Sequence, residues 1–167
     1  QHVYFFGDGK SEGDPKRKDL LGGKGAGLAE MTALGLPVPP GFTLSTEACN
    51  VFATTHAHPA GLKDAVQAAL ARVEKSVGMR FGDASSPLLV SVRSGARASM
   101  PGMMDTILNL GLNDATCEGI AKRTNNRKFA LDAFRRFISM YGTIALGAKK
   151  EPFEHAMDEL RKQLGKD

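Results

Sequence analysis

The sequence predicts an α+β (α/β) fold, a short mixed sheet flanked by helices, and three observations carry that expectation. Four short runs rich in branched and aromatic residues, at 3–6, 42–44, 88–92 and 104–110, are bounded by Gly, Pro, Ser or Asp as strands are. Between and after them, apolar residues recur every three or four positions, the spacing of a buried helical stripe. With 167 residues, 42% of them hydrophobic, and no low-complexity tract, the chain can bury a core, and its length suggests a single domain.

Taken in order, the strand at 3–6 leads into residues 7–18, whose Gly, Asp, Ser and Pro content suits a surface loop. Residues 20–31 pass from a glycine-rich turn (Gly22, Gly23, Gly25, Gly27) into a helix with Leu28, Met31 and Leu34 on one face. Gly35 ends it, and Pro37, Pro39 and Pro40 keep it from resuming. After the strand at 42–44, Ser45 or Thr46 caps a helix that turns Ala48, Cys49 and Phe52 inward. His56 and His58 then fall in a loop with no third metal ligand in sight, so they read as solvated.

From Gly61, the positions Leu62, Val66, Ala69, Leu70, Val73 and Val77 keep helical spacing up to Gly78. Asn113 or Asp114 caps a further helix that buries Cys117, Ile120 and Ala121. A helix over 126–140 places Leu131, Phe134, Ile138 and Tyr141 on one stripe with Phe137 beside it, leaving Arg135 and Arg136 on a solvated face. Pro152 opens a last helix as a first-turn residue, with Phe153, Met157, Leu160 and Leu164 facing inward.

The stretch from Pro87 to Gly111 concentrates the chemistry. It reads as two strands joined by a loop, the first an apolar run suited to burial on both faces. The loop holds Arg93, Ser94, Gly95, Arg97, Ser99, Pro101 and Gly102: small residues that let backbone approach a ligand, with two guanidinium groups at a strand end. That composition suits phosphate. A glycine turn feeding a helix at 22–27, with Lys24 beside it, is a second anion-attracting element, because helix N-termini present unpaired N–H groups. It is neither a Walker A loop nor the dinucleotide fingerprint. Read blandly, the first element is a hairpin turn and the second a tight helix start with Lys24 in solvent.

Composition limits the alternatives. A net charge of +4 and a pI near 9.2 would suit a polyanion, but the cations are scattered among acids, so no nucleic-acid partner is expected. Cys49 and Cys117 lack C-x-x-C spacing and read as buried thiols in a reducing compartment. No apolar run approaches membrane-spanning length, and no membrane partner is expected. No cluster of metal-binding carboxylates is visible, so no metal site is placed on these residues.

Leu20-Leu21-Gly22-Gly23-Lys24-Gly25, Leu28-Ala29-Glu30-Met31, Pro39-Pro40-Gly41-Phe42-Thr43, Thr46-Glu47-Ala48-Cys49 and above all the run from Ser91 to Asp114 resemble the amino-terminal part of pyruvate phosphate dikinases. The resemblance covers nearly all of residues 3–140, and the long central motif is far more specific than a short pattern. Relatives that transfer to water, such as phosphoenolpyruvate synthase, continue after Arg-Ser with an acidic sequence where this chain has Gly95-Ala96-Arg97-Ala98-Ser99-Met100. The dikinase reading is favoured over that one.

The resemblance implies a partial ATP-grasp nucleotide-binding domain over 1–167, belonging to an enzyme several times longer. Such enzymes interconvert ATP, phosphate and pyruvate with AMP, pyrophosphate and phosphoenolpyruvate through a phosphohistidine on a swivelling domain. Family nucleotide-site residues carry over onto Lys24 and Arg93, and the run Gly102, Met103, Met104, Asp105 and Thr106 matches a loop over ATP. The implied Mg²⁺ ligands, phosphocarrier histidine and pyruvate site lie outside this chain. His2, His56, His58 and His155 all lack the carrier context. A homodimer and a cytoplasmic location, with plastid and glycosome members in the family, complete what the resemblance implies. The 167-residue chain alone is expected to be inactive, and a non-catalytic phosphate- or nucleotide-binding module is the reading from another class.

Overall fold

The computed structural model describes residues 1–94 and 106–165. These residues form two compact units, one of 1–79 with Ser94 and the other of 80–93 and 106–165, where length had suggested one domain.

In the first unit, β1 (Val3–Gly7) is the centre of a three-stranded antiparallel sheet, between β2 (Lys10–Ser11) and β3 (Gly41–Leu44). The Val3↔Leu44 to Phe6↔Gly41 register is continuous, and β2 falls within the stretch expected to be loop. Its pairing is extended by Glu12. The Glu12 N–H donates to the Phe5 carbonyl at 2.9 Å, while the Phe5 N–H donates to Glu12 Oε2 at 3.0 Å. Arg72 adds an ion pair to that carboxylate and lays its guanidinium 3.9 Å over the Phe5 ring. Burial of Glu12 raises its pKa, but the bonds from Arg72 and from the Phe5 N–H outweigh it and hold the carboxyl below its ordinary range.

Three helices complete this unit: α1 (Lys18–Ala33), α2 (Thr46–Thr55) and α3 (Leu62–Val77). The expected caps are present. Ser45 accepts from the Ala48 N–H at 3.2 Å, and Gly78 ends α3 in the left-handed region. Leu62 and Ala69 of α3 meet Val3 and Ala48 in one core cluster, while Leu21, Ala26 and Ala29 of α1 pack with Tyr4 in another.

Two expectations about buried faces fail here. Leu34 is 71% exposed and Met31 also faces outward, because α1 buries Gly25, Ala26, Ala29 and Thr32 instead. Where Gly25 faces Thr43 of β3, the helix lies too close to the sheet for a side chain to fit between. In α2 only Ala48 is buried; Cys49 is exposed, and Phe52 stacks on His58 at 5.1 Å.

The second unit holds a parallel pair, β4 (Arg80–Phe81) with β5 (Pro87–Leu88), and an antiparallel pair, β6 (Val90–Arg93) with β7 (Thr106–Leu110). The apolar run at 88–92 is therefore not one strand buried on both faces. It breaks at Leu89, and Val92 is exposed, because β6 has β7 as its only strand neighbour among the described residues.

Next come α4 (Asp114–Thr124), α5 (Arg127–Met140), a π-helical turn at Tyr141–Ala145, and α6 (Glu151–Gln163). Asn113 caps α4 in a capping box with Thr116, and Cys117, Ile120 and Ala121 are buried as expected. They form a core with Leu112 and the fully buried Ala130, flanked by Phe134 and Phe137. The expected α5 stripe is rotated: Leu131, Ile138 and Tyr141 point outward because α5 approaches α4 through the small Ala130. Arg135 and Arg136 are exposed, as expected, and both pair with Asp132 at 2.8 Å. In α6, Pro152 sits in the first turn as expected. No residue of α6 is fully buried: Phe153 and Met157 are half-buried, Phe153 against Gly142, as the inward-facing assignment expected, whereas Leu160 and Leu164 are exposed. None of the helices in the described residues is long and apolar enough to cross a membrane.

Candidate functional site

Within the first unit, the glycine-rich start of α1 does more than open a helix. Gly22 has φ 68° and ψ 169°, a conformation open in practice only to glycine, and it divides α1 in two. The break is buried. The second segment therefore begins at Gly23, with Lys24 in its first turn, at the positive end of that segment's dipole.

The neighbouring bonds hold this corner in place. Arg17 grips Asp19 in a fork, Nε to Oδ1 at 3.0 Å and Nη2 to Oδ2 at 2.9 Å, which lowers the pKa of that carboxyl. Thr46 Oγ1, at the start of α2, donates to the Asp19 carbonyl at 2.6 Å. On the other side, Gly25 faces β3 so closely that a Cβ there would lie 2.6 Å from Thr43 Cγ2.

Lys24 is half-buried, and its Nζ donates to the Ser94 carbonyl at 3.2 Å. The bond joins positions 70 residues apart in the chain. No local pattern signals it, and neither Ser94 as a partner nor Thr43 as the wall against Gly25 was apparent from the sequence.

Within the second unit, Arg93 closes β6 and is the register partner of Thr106 at the start of β7. The strand pair thus brings two of the expected residues together. The Arg93 side chain is exposed and Thr106 is half-buried. Gly102, Met103 and Asp105, with Gly95, Arg97, Ser99, Pro101 and Met104, lie outside the described residues. Among the described residues, no group of three or more His, Cys, Asp or Glu could hold a metal ion.

Chemically, a helix start with an ammonium in its first turn suits an anion, as does a forked cation at a strand end. The comparisons with known proteins are consistent with that chemistry. The family model described as "Pyruvate phosphate dikinase, AMP/ATP-binding domain" matches residues 18–60 and 57–141, which hold both Lys24 and Arg93. The chain is 53% identical over 165 residues to pyruvate, phosphate dikinase 2 of Oryza sativa subsp. japonica, covering 99% of this chain and 18% of that protein. It is 51% identical over 164 residues to pyruvate, phosphate dikinase of Rhizobium meliloti (strain 1021), covering 98% and 18%. With the corresponding protein of Clostridium symbiosum the identity is again 51% over 164 residues. The chain thus spans about a fifth of the length of the relatives it matches, 18% in each of these three. With the glycine-broken helix carrying Lys24 and the strand end carrying Arg93 both inside the matched residues, the chain belongs to the pyruvate phosphate dikinase AMP/ATP-binding domain family.

Proposed function

We propose that this chain is the ATP-binding part of a pyruvate, phosphate dikinase, in which Lys24 and Arg93 hold the polyphosphate of ATP. The observation that carries the reading is the break at Gly22, which starts a fresh helical segment with Lys24 in its first turn. Phosphoryl transfer needs little covalent help from protein; positioning and charge neutralisation supply most of the catalysis. Lys24 offers a point charge reinforced by the positive end of a helical segment. Arg93 offers a planar fork that spans two non-bridging oxygens.

The whole enzyme would carry the phosphoryl group on a histidine of a swivelling domain, delivering it between ATP with phosphate and pyruvate to give AMP, pyrophosphate and phosphoenolpyruvate. In this proposal the nucleotide-binding domain has an ATP-grasp architecture and the full-length enzyme is a cytoplasmic homodimer. The run 102–106 is assigned to nucleotide binding by its match to the family's motif alone. Mg²⁺ would neutralise phosphate charge, but the described residues do not fit it, and its ligands are assigned to segments outside this chain. Transfer to phosphate is favoured over transfer to water by the run Gly95 to Met100, which carries Arg97 and no acid.

The test is Arg93→Lys in the full-length enzyme, which keeps the charge and loses the fork. ATP-dependent phosphorylation should fall tenfold or more, about 1.4 kcal/mol, and the pyruvate half-reaction should be spared. Equal losses in both halves would assign Arg93 to folding instead.

A further inference from the structure

We propose that Gly25 and Thr43 form a spacer that sets the height of Lys24 above the β2-β1-β3 sheet, making Gly25 a positioning residue for the ATP half-reaction. The inference rests on the reading of Lys24 as a phosphate contact. The four glycines at this corner are not equivalent. Gly22 is required by its backbone conformation, with φ 68° and ψ 169°. A Cβ at Gly23 or Gly27 would meet nothing within 4 Å, so packing does not call for glycine at either position. At Gly25 a Cβ would lie 2.6 Å from Thr43 Cγ2, 3.1 Å from Thr43 Oγ1 and 3.2 Å from Leu21 Cβ.

Ordinary van der Waals contact begins near 3.4 Å. A side chain at position 25 therefore requires the second segment of α1 to move away from β3 by roughly an ångström, a misplacement large enough to cost up to about a hundredfold in rate when it falls on a positioned catalytic group. The movement cannot be absorbed by Thr43. That residue is held in the centre of β3, opposite Tyr4 of β1, and its methyl is one bond from a branched, rotamer-restricted Cβ. Lys24 is the next residue in the chain, so its ammonium moves with the segment and leaves its place 3.2 Å from the Ser94 carbonyl.

The experiment uses the full-length enzyme and compares Gly25→Ala, Thr43→Ala and the double variant, with Lys24→Ala and Thr43→Ile alongside. Gly25→Ala should lower ATP-dependent phosphorylation tenfold to a hundredfold while the pyruvate half-reaction keeps its rate. Removing the Thr43 side chain in the double variant should recover most of the loss, because that side chain is what a Cβ at position 25 meets. Thr43→Ile, which crowds the same gap from the sheet side, should reproduce the defect, and it decides the matter if Gly25→Ala does not fold. Full activity of Gly25→Ala or Thr43→Ile, or a double variant no better than Gly25→Ala, overturns the spacer. If Lys24→Ala leaves the ATP half-reaction intact, the phosphate reading of Lys24 falls as well. If only Lys24→Ala is defective, that reading stands and the spacer alone is lost.

Discussion

In a loop of the second unit, the Asp83 carboxylate is held by three hydrogen bonds. Its Oδ1 accepts from the Ser85 N–H at 2.7 Å, the Ser85 hydroxyl at 2.7 Å and the Ser86 N–H at 3.0 Å. The bond from the Ser85 hydroxyl, followed by those from the two backbone N–H groups, holds its pKa at about 2, against an ordinary 3.8. A carboxyl whose pKa is depressed by folding contributes stability that is complete above its unfolded value and is lost as pH falls through its folded value. The window here runs from about pH 4 down to about pH 2. Wild type should therefore exceed Asp83→Asn in thermal stability near neutrality, and the gap between them should close across that window. A gap that stays constant down to pH 2 would show that the Asp83 charge is not what the turn uses. Exposed pairs such as Arg127 with Glu118 carry no comparable expectation, because both partners remain in water.

At the level of elements, the packing of α4 rests on one glycine. A Cβ at Gly119 would lie 1.8 Å from the Ala84 carbonyl oxygen and 2.9 Å from its carbon, so the helix lies directly against the backbone of the 83–86 turn. Arg123, one turn further along, donates from Nη1 to Ser86 Oγ at 2.8 Å and ties the same two segments together. Backbone cannot yield as a flexible side chain can. Gly119→Ala should cost about 3 kcal/mol or more, the upper part of the range for overpacking, read as a lower denaturation midpoint with an unchanged slope. A loss below about 0.5 kcal/mol, the scale of an ordinary surface change, would mean that α4 can shift freely. The capping box at Asn113 and Thr116 was legible beforehand because its bonds join neighbours in the chain. The Gly119 contact was not, since Ala84 is brought there only by the fold.

At the scale of the whole molecule, each unit has its own buried cluster, yet the chain makes up only 18% of its relatives' length. Phosphoryl transfer needs a metal held by carboxylates and a nucleophile in line with the phosphate. Among the described residues no metal-holding group occurs. On the reading proposed above, which assigns the metal ligands and the carrier histidine to other parts of a longer enzyme, the 167-residue chain alone is expected to form no phosphoenzyme, and to bind ATP weakly, because an incomplete cleft leaves most of the ligand wet. Incubation with β-labelled ATP and Mg²⁺, followed by assay of acid-labile, base-stable label, checks this. Stoichiometric labelling of a histidine would require a carrier among His2, His56, His58 and His155.

The sequence by itself determined what depends on neighbours in the chain. Helix ends at Ser45, Gly78 and Asn113, the amphipathic α3 and α4 and the strand at the amino terminus were all readable from spacing and local chemistry. The family was readable too, because its motif is long. Only the tertiary structure decided which face of α1, α2 and α5 is buried. In α1 and α5 the close approach is made by Gly25, Ala26, Ala29 and Ala130, so the larger Met31, Leu34, Leu131 and Ile138 are turned outward. Hydrophobicity ranks such residues the wrong way round, because burial depends on the distance between backbones as well as on apolar area. The same limit applies at the candidate site: Lys24 reaches Ser94, and Gly25 abuts Thr43, across sequence separations that no local rule spans.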